Sequence, residues 1–312
     1  MPRRFPSAPI GSALLLVAAI AGTPAPAAAD PAGFAFLEIP AGARASALGG
    51  AFSSMAEGVE AAYANPAGLE AVKGVELAAT HYEYFEQLRH DQFAIALRGL
   101  GGAFSGSIRA LYSQPIDERD ELGNLTGTFG SHDLEFGLGY GRRIAEGLSF
   151  GGMAKLVRER IARSAAMTWA VDLGTAWEPR PGGGLRLGAA LQNVGPAAHY
   201  AFGDDQGGPV PLPSALQTGV SYRWDAGPRL AVRGALEGRV TRGRSGVGLV
   251  GAELEAPGTG ATLRAGFRMN DDSAGISAGL GYAVGALRLD YAWVPYRFDL
   301  GDTHRFSLNA RF

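Results

Sequence analysis

The sequence contains no cysteine among its 312 residues. Disulfides, thiol nucleophiles, cysteine zinc sites and a lipid anchor on cysteine are therefore all excluded. Long hydrophobic runs are also missing, because beyond the N-terminal segment no stretch approaches the 18 or so apolar residues that a transmembrane helix requires. Hydrophobic residues still make up 46% of the chain, since they alternate with polar residues instead of forming blocks.

Neither sign of charge is in large excess. The formal net charge is −2 at pH 7, and it becomes −4 if residues 1–29, which hold two arginines and no acidic residue, are removed. This balance gives no electrostatic reason to expect nucleic-acid binding. Glycine, by contrast, is abundant at 47 residues, about twice the usual share. Glycine permits tight hairpin turns and leaves space where it faces a lumen.

The N-terminus has the pattern of a secretory signal peptide. Two arginines, Arg3 and Arg4, precede an apolar run at 13–21 and a small-residue stretch that ends at Ala29. This order of charged, apolar and small-residue regions predicts cleavage just before Asp30. The mature chain is then expected to be exported across the inner membrane.

From residue 75 onward, apolar and polar residues alternate in short segments that are separated by turn residues, which predicts β-strands. In the last segment, Phe306, Leu308 and Phe312 share one face, whereas Arg305 and Asn309 lie on the other. The fourteen predicted strands lie at 75–84, 90–98, 102–112, 132–142, 148–159, 166–178, 185–194, 215–224, 229–239, 247–256, 261–269, 274–283, 286–294 and 303–312. With a signal peptide before them, these strands predict an outer-membrane β-barrel whose apolar face meets lipid.

Charged residues lie in the middle of several predicted strands, on the face opposite the apolar one. A charge that faces lipid at mid-bilayer costs about 2–4 kcal/mol, so these side chains are expected to face a wet or plugged lumen. The lumen-facing charged residues are predicted to be Glu135, Arg223, Arg264, Arg268, Arg288 and Asp290.

The lengths of the connections favour one closed barrel over a glycine-rich soluble β-sandwich, which is the alternative fold. Counted from the first strand, the even-numbered connections are short, as at 99–101, whereas the odd-numbered ones extend up to 113–131 and 195–214. Short turns that alternate with longer loops are typical of an even-stranded barrel with both termini in the periplasm.

The segment 30–74 differs from the barrel region because it is rich in Ala and Gly and lacks strand alternation. It contains ARASALGGAF at 43–52 and NPAGL at 65–69. Pro66 disfavours helix at Asn65, whose side chain is able to hydrogen-bond the turn that follows. We expect a compact helix-and-turn unit with side chains small enough to pack inside a barrel lumen.

These two motifs, with LQNVG at 191–195 and the closing stretch 275–312, resemble the PorV/PorQ family, a branch of the FadL-like outer-membrane barrels. The resemblance implies a fourteen-stranded barrel with an N-terminal hatch in or against its lumen. Barrels of the PorV/PorQ branch serve type IX protein secretion or surface attachment and bind secreted proteins through C-terminal signal domains. Other FadL-like barrels pass long-chain fatty acids or other hydrophobic compounds. The motifs single out Arg44, Gly49, Gly50, Asn65, Pro66 and Gly68 as hatch residues.

The sequence therefore predicts an all-β protein: a signal peptide at 1–29, a small helical hatch at 30–74 and a transmembrane antiparallel barrel of about fourteen strands at 75–312. Its main predicted function is non-enzymatic, the binding of secreted proteins in type IX-like secretion or surface attachment. The alternative is a FadL-like channel for hydrophobic compounds. We favour it less because the predicted lumen faces are small and polar, although the hatch is able to supply apolar surface.

One arrangement of side chains suits catalysis. His90-Asp91 and His132-Asp133 resemble the Asp/His pairs of outer-membrane proteases if they face one another across the barrel top. No nucleophile elbow or other catalytic signature accompanies them, so we interpret them as polar loop residues and predict no enzyme. No cofactor, metal site or nucleic-acid partner is predicted. The expected partners are outer-membrane lipid, the barrel-assembly machinery and either secreted proteins or hydrophobic small molecules.

Phe312 is predicted to act as an assembly signal, because outer-membrane barrels commonly end in a strand with a terminal aromatic residue. Deleting Phe312 should slow the appearance of the folded, heat-modifiable band on a gel after induction. The variant Phe312→Tyr keeps the aromatic ring and should assemble at the normal rate. Unaltered assembly of the deletion variant would contradict the prediction.

Overall fold

The computed structural model describes residues 33–84, 88–202 and 205–312. The predicted signal peptide and its cleavage site lie outside these residues. The strands are β1 (Val75–Glu83), β2 (Leu88–Gly99), β3 (Gly102–Ser113), β4 (Ile116–Arg119), β5 (Leu125–Phe129), β6 (Ser131–Ala145), β7 (Leu148–Ile161), β8 (Ser164–Trp177), β9 (Leu185–Val194), β10 (Ala198–Phe202), β11 (Asp205–Val210), β12 (Ala215–Asp225), β13 (Ala231–Thr241), β14 (Val247–Ala256), β15 (Ala261–Met269), β16 (Ile276–Val284), β17 (Leu287–Pro295) and β18 (Asp302–Arg311).

Fourteen of these strands form one closed antiparallel barrel. The barrel leaves out the hairpins β4–β5 and β10–β11. Each of its strands pairs with the next barrel strand along the chain, as β8 does with β9, and the first strand, β1, pairs with the last, β18. At that last closure, Val75 and Phe312 exchange backbone hydrogen bonds of 3.1 and 2.8 Å. Because a closed barrel has no edge strand, its backbone groups are paired as a membrane requires. The predicted fold class is confirmed.

The predicted strand boundaries agree with the barrel strands to within three residues. The sequence did not reveal the hairpins inside the two longest loops, β4–β5 within 113–131 and β10–β11 within 195–214. All four residues of β4 are exposed. A strand that is exposed on both faces carries no apolar alternation, so the period of two cannot identify it.

Side chains of the wall alternate between lipid and lumen, as the period of a strand dictates. On β6, Phe136 and Leu138 point outward with 48% and 74% of their surface exposed, whereas Asp133 and Glu135 point inward and are buried. The same alternation continues around the barrel, so its outer surface is apolar and its lumen is lined by polar and small residues.

The two ends of the barrel differ. One end, here named the turn end, holds Val75, Phe312 and the short connections between strands. These connections follow β2, β6, β8, β12, β14 and β16. The opposite end, the loop end, holds the long connections 113–131 and 195–214. This difference gives every strand a defined direction through the membrane.

The lumen is occupied by the described part of the predicted hatch, residues 33–74, and these residues are called the hatch below. Its helices are short: 3₁₀-helices at Ala35–Glu38, Gly58–Glu60 and Pro66–Ala71, and α-helices α1 (Ala43–Ala47) and α2 (Ala61–Ala64). Gly33 donates to the Pro211 carbonyl at the loop end (3.1 Å), and Arg98 binds the Val72 carbonyl at the turn end (3.2 Å). The hatch thus crosses the whole lumen. No helix in the described part of the chain is long and apolar enough to span a membrane.

The lipid-facing position of Leu138 generates a prediction about stability. Leu138 lies midway along β6 and points outward, so Leu138→Arg should lower the free energy of unfolding in lipid vesicles by about 2–4 kcal/mol. Urea titration with reversible refolding measures this change. Leu122→Arg is the matched control, because Leu122 is 86% exposed in the loop between β4 and β5. Equal stability of the two variants would contradict the assigned lipid face.

Candidate functional site

The NPAG turn is fixed at its first residue by Asn65, which is fully buried. Its Oδ1 accepts a hydrogen bond from the Ala67 amide (3.2 Å) and so caps the 3₁₀-helix that begins at Pro66. Its Nδ2 donates to the carbonyls of Ser53 (2.9 Å) and Thr175 (3.0 Å). One side chain therefore joins two turns of the hatch to strand β8.

Three glycines of the wall form the surface on which this turn packs. Gly141, Gly151 and Gly174 lie side by side in register on β6, β7 and β8. A Cβ on either of the first two would overlap the Pro66 carbonyl, and one on the third would overlap Asn65. The hatch backbone consequently lies directly on the barrel wall, which explains part of the high glycine content.

Glycines of the hatch are required for a related reason. Gly49 and Gly50 end helix α1 with φ angles of 66° and 86°, a left-handed conformation that favours glycine. Their carbonyls accept hydrogen bonds from Arg268 (3.1 Å) and Gln217 (2.9 Å) of the wall. A Cβ on Gly68 would overlap the Ala56 carbonyl. The predicted glycines thus occupy points of tight packing.

Arg44 connects helix α1 to strand β14. Its Nε and Nη2 each donate to a carboxylate oxygen of Glu253, both at 2.9 Å, and its Nη1 lies 3.8 Å from Glu60 Oε2. Burial acts against the charged guanidinium, but Glu253 and Glu60 outweigh it and raise the pKa of Arg44. Arg44 therefore stays charged inside the lumen.

The wall completes this ionic cluster with three more charged residues. Arg264 donates to Glu253 (2.6 Å) and to Asp290 (2.8 Å). Arg288 donates to Asp290 (2.7 Å) and to Glu60. Three arginines and three carboxylates therefore alternate. Removing one partner of a buried ion pair typically costs about 3–5 kcal/mol, so this cluster links the hatch firmly to β14–β17.

The remaining predicted lumen charges lie apart from the cluster. Glu135 lies 3.7 Å from the Arg109 Nε on the neighbouring strand. Arg223 lies near the turn end, where it binds Glu255 (2.9 Å) and is partly exposed. Arg268 lies against the hatch, as its contact with Gly49 shows. The six predicted charges thus do not form a single site.

Glu237 is a functional residue that the sequence analysis missed. Its buried carboxylate accepts hydrogen bonds from the amide and hydroxyl groups of both Ser53 and Ser54, at 2.6–3.0 Å, and from Gln217 (2.6 Å). The signal that identified Glu135, an acidic residue in mid-strand on the polar face, is also present at Glu237. This carboxylate holds the middle of the hatch.

A second acidic anchor lies nearer the turn end. Glu57 of the hatch binds Arg186 (2.6 Å) and lies 3.7 Å from Arg233. Burial favours the neutral acid, but Arg233 and Arg186 outweigh it and lower the pKa of Glu57. Ion pairs therefore connect the hatch to the wall at two depths of the lumen.

Toward the loop end, above the part of the hatch that holds Gly49 to Phe52, lies a cavity of about 600 Å³, here named the cavity above the hatch. The hatch supplies most of its apolar lining through Leu37, Ile39, Phe52 and Tyr63, and Leu249 of β14 adds to it from the wall. The cavity therefore has the apolar surface that the wall alone, with its polar and small residues, does not provide.

Three arginines line the polar side of the cavity, namely Arg109, Arg239 and Arg268. Each has a buried N–H group, Nε of Arg109 and Nη2 of the other two, without a hydrogen-bond partner among the described residues. Glu38 lies at the same level, 2.9 Å from Arg244, and its burial raises its pKa although Arg244 acts in the opposite direction. The cavity is thus apolar on one side and rich in donors on the other.

Described residues of the connection between β9 and β12, among them Leu212, cover the N-terminal end of the hatch. Phe34 and Phe36 pack in one buried apolar cluster with Leu212 of this loop, and the Phe34 amide donates to Glu159 of β7 (2.8 Å). The contact between Leu212 and the two phenylalanines is that of a cap over this end of the lumen.

The histidine pairs considered for catalysis do not form. His90 points inward and is buried, whereas Asp91 points outward and contacts His81 (2.7 Å). His132 is exposed on the outer wall, whereas Asp133 is buried inside. Adjacent residues of a strand point to opposite faces, so neither pair is able to act together. The described residues also contain no group of three or more potential metal ligands.

The contacts of Glu237 generate a prediction about the hatch. Glu237→Gln places an amide nitrogen among donors, which leaves buried N–H or O–H groups unsatisfied at a cost of about 1–3 kcal/mol. The amides of Ser53 and Ser54 should then exchange with deuterium at least about tenfold faster, as measured by mass spectrometry. Glu255→Gln, at the partly exposed Arg223 pair, is the matched control. Unchanged exchange at both serines would show that Glu237 does not hold the hatch.

Comparison with known proteins gives one match by sequence and several by structure. Residues 17–164 match the model of an uncharacterised protein family, UPF0164. The match covers a little under half of the chain and ends just after β7. No curated protein sequence matches the chain.

Three solved structures share the architecture. The toluene transporter TodX of P. putida has a TM-score of 0.62 at 13% identity, and the toluene transporter TbuX of Ralstonia pickettii has 0.59 at 17% identity. For both, the alignment covers 87% of this chain and 98% of theirs. CymD, a monoaromatic hydrocarbon channel, has a TM-score of 0.57 at 13% identity, over 87% of this chain and 97% of its own. At these identities the likeness shows the fold, a closed fourteen-stranded barrel shared with known transporters and channels.

Proposed function

We propose that this protein is an outer-membrane channel that passes small hydrophobic compounds through its lumen, with the hatch as the gate. The observation that carries the proposal is the cavity above the hatch, whose apolar lining comes mainly from Leu37, Ile39 and Phe52. The names of TodX, TbuX and CymD refer to toluene or monoaromatic hydrocarbons, and their fold supports this function over the carrier function that the sequence favoured.

A compound that enters from the loop end reaches the cavity first. Loop residues Gly243, Arg244, Asp272 and Leu300 border it on that side. In an outer-membrane barrel the longer loops lie outside the cell, so the cavity is accessible from the exterior. A hydrophobic molecule gains about 25 cal/mol for each Å² of apolar surface that it buries there.

Passage beyond the cavity requires the hatch to move. Below the cavity, Phe52, Met55 and Leu69 are almost completely buried and form one apolar cluster with Met153 of the wall. The hatch is also held to the wall by polar contacts, such as those of Glu237. Movement of the hatch therefore has to open this apolar cluster, whereas water is able to replace the partners of the polar contacts.

Blocking the cavity tests the proposal. Leu249 points into the cavity and is buried, whereas Val250, the next residue on β14, points to lipid and is 37% exposed. Leu249→Trp should reduce uptake of labelled toluene or oleate at least about tenfold in cells that lack other transporters of hydrophobic compounds, because the indole ring fills the cavity. Val250→Trp is the matched control and should leave uptake unchanged.

Two results would contradict the channel function. One is that cells expressing the protein take up no more toluene or oleate than cells without it. The other is that Leu249→Trp and Val250→Trp transport equally well while both variants are folded. The amount of assembled barrel, which is measured by heat modifiability, distinguishes a loss of transport from a loss of folding.

One observation favours the second candidate, a carrier that binds secreted proteins. The hairpin β4–β5 projects at the loop end and exposes Ile116, Leu122 and Leu125, at 43%, 86% and 59%. Exposed apolar residues of this kind can bind a protein partner. The test is gentle purification from outer membranes, with and without residues 116–129, followed by mass spectrometry of bound proteins. Secreted proteins that share a C-terminal domain and are lost with the hairpin would favour the carrier.

A further inference from the structure

The outer wall carries arginines on one side of the barrel only. The outward-facing residues of β12 to β17, all of which the structure describes, are uncharged. On β7, by contrast, Arg158 and Arg160 are both outward-facing and exposed near the loop end. Glu159, which lies between them in sequence, points inward and binds the Phe34 amide. Two cations are thus placed on the lipid side without an acid between them.

Together with residues of the neighbouring strands, Arg158 and Arg160 line a small recess on the outer wall. Arg160 is in register with His132, which is in register with Tyr112, and Arg158 is in register with Leu134. Neighbouring strands lie about 4.8 Å apart and alternate residues about 6.7 Å apart, so these groups lie close together. They line a recess of about 280 Å³, here named the basic recess.

The basic recess contains no acidic lining residue. Neither Arg158 nor Arg160 has an acidic partner within the described ranges, and Arg160 Nε donates only to the Ala162 carbonyl (3.1 Å). Asp91, an outward-facing acid on β2, is already bound by His81 and by the Tyr112 hydroxyl, both at 2.7 Å. The two guanidinium groups are therefore free to bind an anion.

The depth of the recess matches the boundary between hydrocarbon and headgroups. From Phe150 to Leu156 the outward-facing residues of β7 are apolar or glycine. Arg158 lies eight residues after Phe150, a rise of about 20 Å for a strand tilted by about 40°. The apolar band of an outer-membrane barrel is about 25 Å tall. Trp169, in register with Leu156 and 56% exposed, fits the aromatic girdle just inside this boundary.

We propose that the basic recess binds the phosphate group of a phosphorylated lipid in the outer leaflet. Guanidinium groups bind phosphate oxygens through paired, charge-assisted hydrogen bonds, and basic recesses at the membrane surface bind anionic headgroups. The acyl chains of the lipid then lie on the apolar wall below, against Phe136, Leu156 and Trp169. This site is separate from the lumen and does not depend on which compound the channel carries.

The experiment uses the purified full barrel in nanodiscs, with lipid A, its dephosphorylated form and inorganic phosphate as probes. Each arginine near an anionic lipid surface contributes about 1 kcal/mol, or roughly fivefold in affinity. Arg158→Ala combined with Arg160→Ala should therefore weaken binding of lipid A roughly 25-fold by native mass spectrometry. Arg142→Ala is the matched control, since Arg142 is exposed on the outer wall at the turn end.

Replacing both arginines with lysine keeps the charge and should retain most of the binding, which separates a folding defect from loss of the site. Equal binding of lipid A by the double alanine variant and the unaltered protein would overturn the proposal. Equal binding of the dephosphorylated lipid would also overturn it, because phosphate would then play no part. Inorganic phosphate that binds as tightly as lipid A would overturn the assignment to a lipid.

Discussion

The structure depends on burying a polypeptide segment inside a polar barrel lumen. The hatch carries backbone N–H and C=O groups that need partners once water is excluded, and short helices satisfy only some of them. The wall provides the rest in two ways. Glycines such as Gly151 let the hatch backbone lie directly on the strands, and the buried carboxylate of Glu237 accepts hydrogen bonds from the backbone amides of Ser53 and Ser54. Glycine content, inward charges and the NPAG turn are therefore consequences of one requirement.

This way of holding the hatch has a consequence for its movement. A segment fixed by an apolar core is costly to move, because its displacement exposes apolar surface to water. The hatch shares an apolar cluster around Phe52 and Met55 with the wall, and hydrogen bonds and ion pairs such as those of Arg44 and Asn65 also hold it there. Polar contacts are exchangeable with water or with other polar partners. The polar contacts that position the hatch can thus be replaced when it moves, whereas the apolar cluster opposes the movement.

The sequence predicted the barrel well because lipid imposes alternation on every strand that crosses the membrane. On β15, Leu263 and Phe267 face lipid while Arg264 and Arg268 face the lumen, and the pattern is visible without a structure. The hairpin β4–β5 lies in solvent and has no such pattern. The pairing of Arg44 with Glu253 spans 209 residues, so only the folded register brings the two together. The sequence singled out Arg44 as a hatch residue but did not predict its partner.

The partners and the energetic cost of an arginine in this barrel depend on the face and the depth at which it lies. Arg264 points into the lumen and pairs with carboxylates there. Arg158 and Arg160 point to the outside, where an arginine costs about 2–4 kcal/mol at mid-bilayer but only about 0–1 kcal/mol near the interface. Their outward orientation therefore marks the level at which the hydrocarbon ends on this side of the barrel. Because the connection 113–131 joins strands whose ends lie beyond that level, the loop end must lie in solvent. The cavity above the hatch then lies at the solvent side of the barrel.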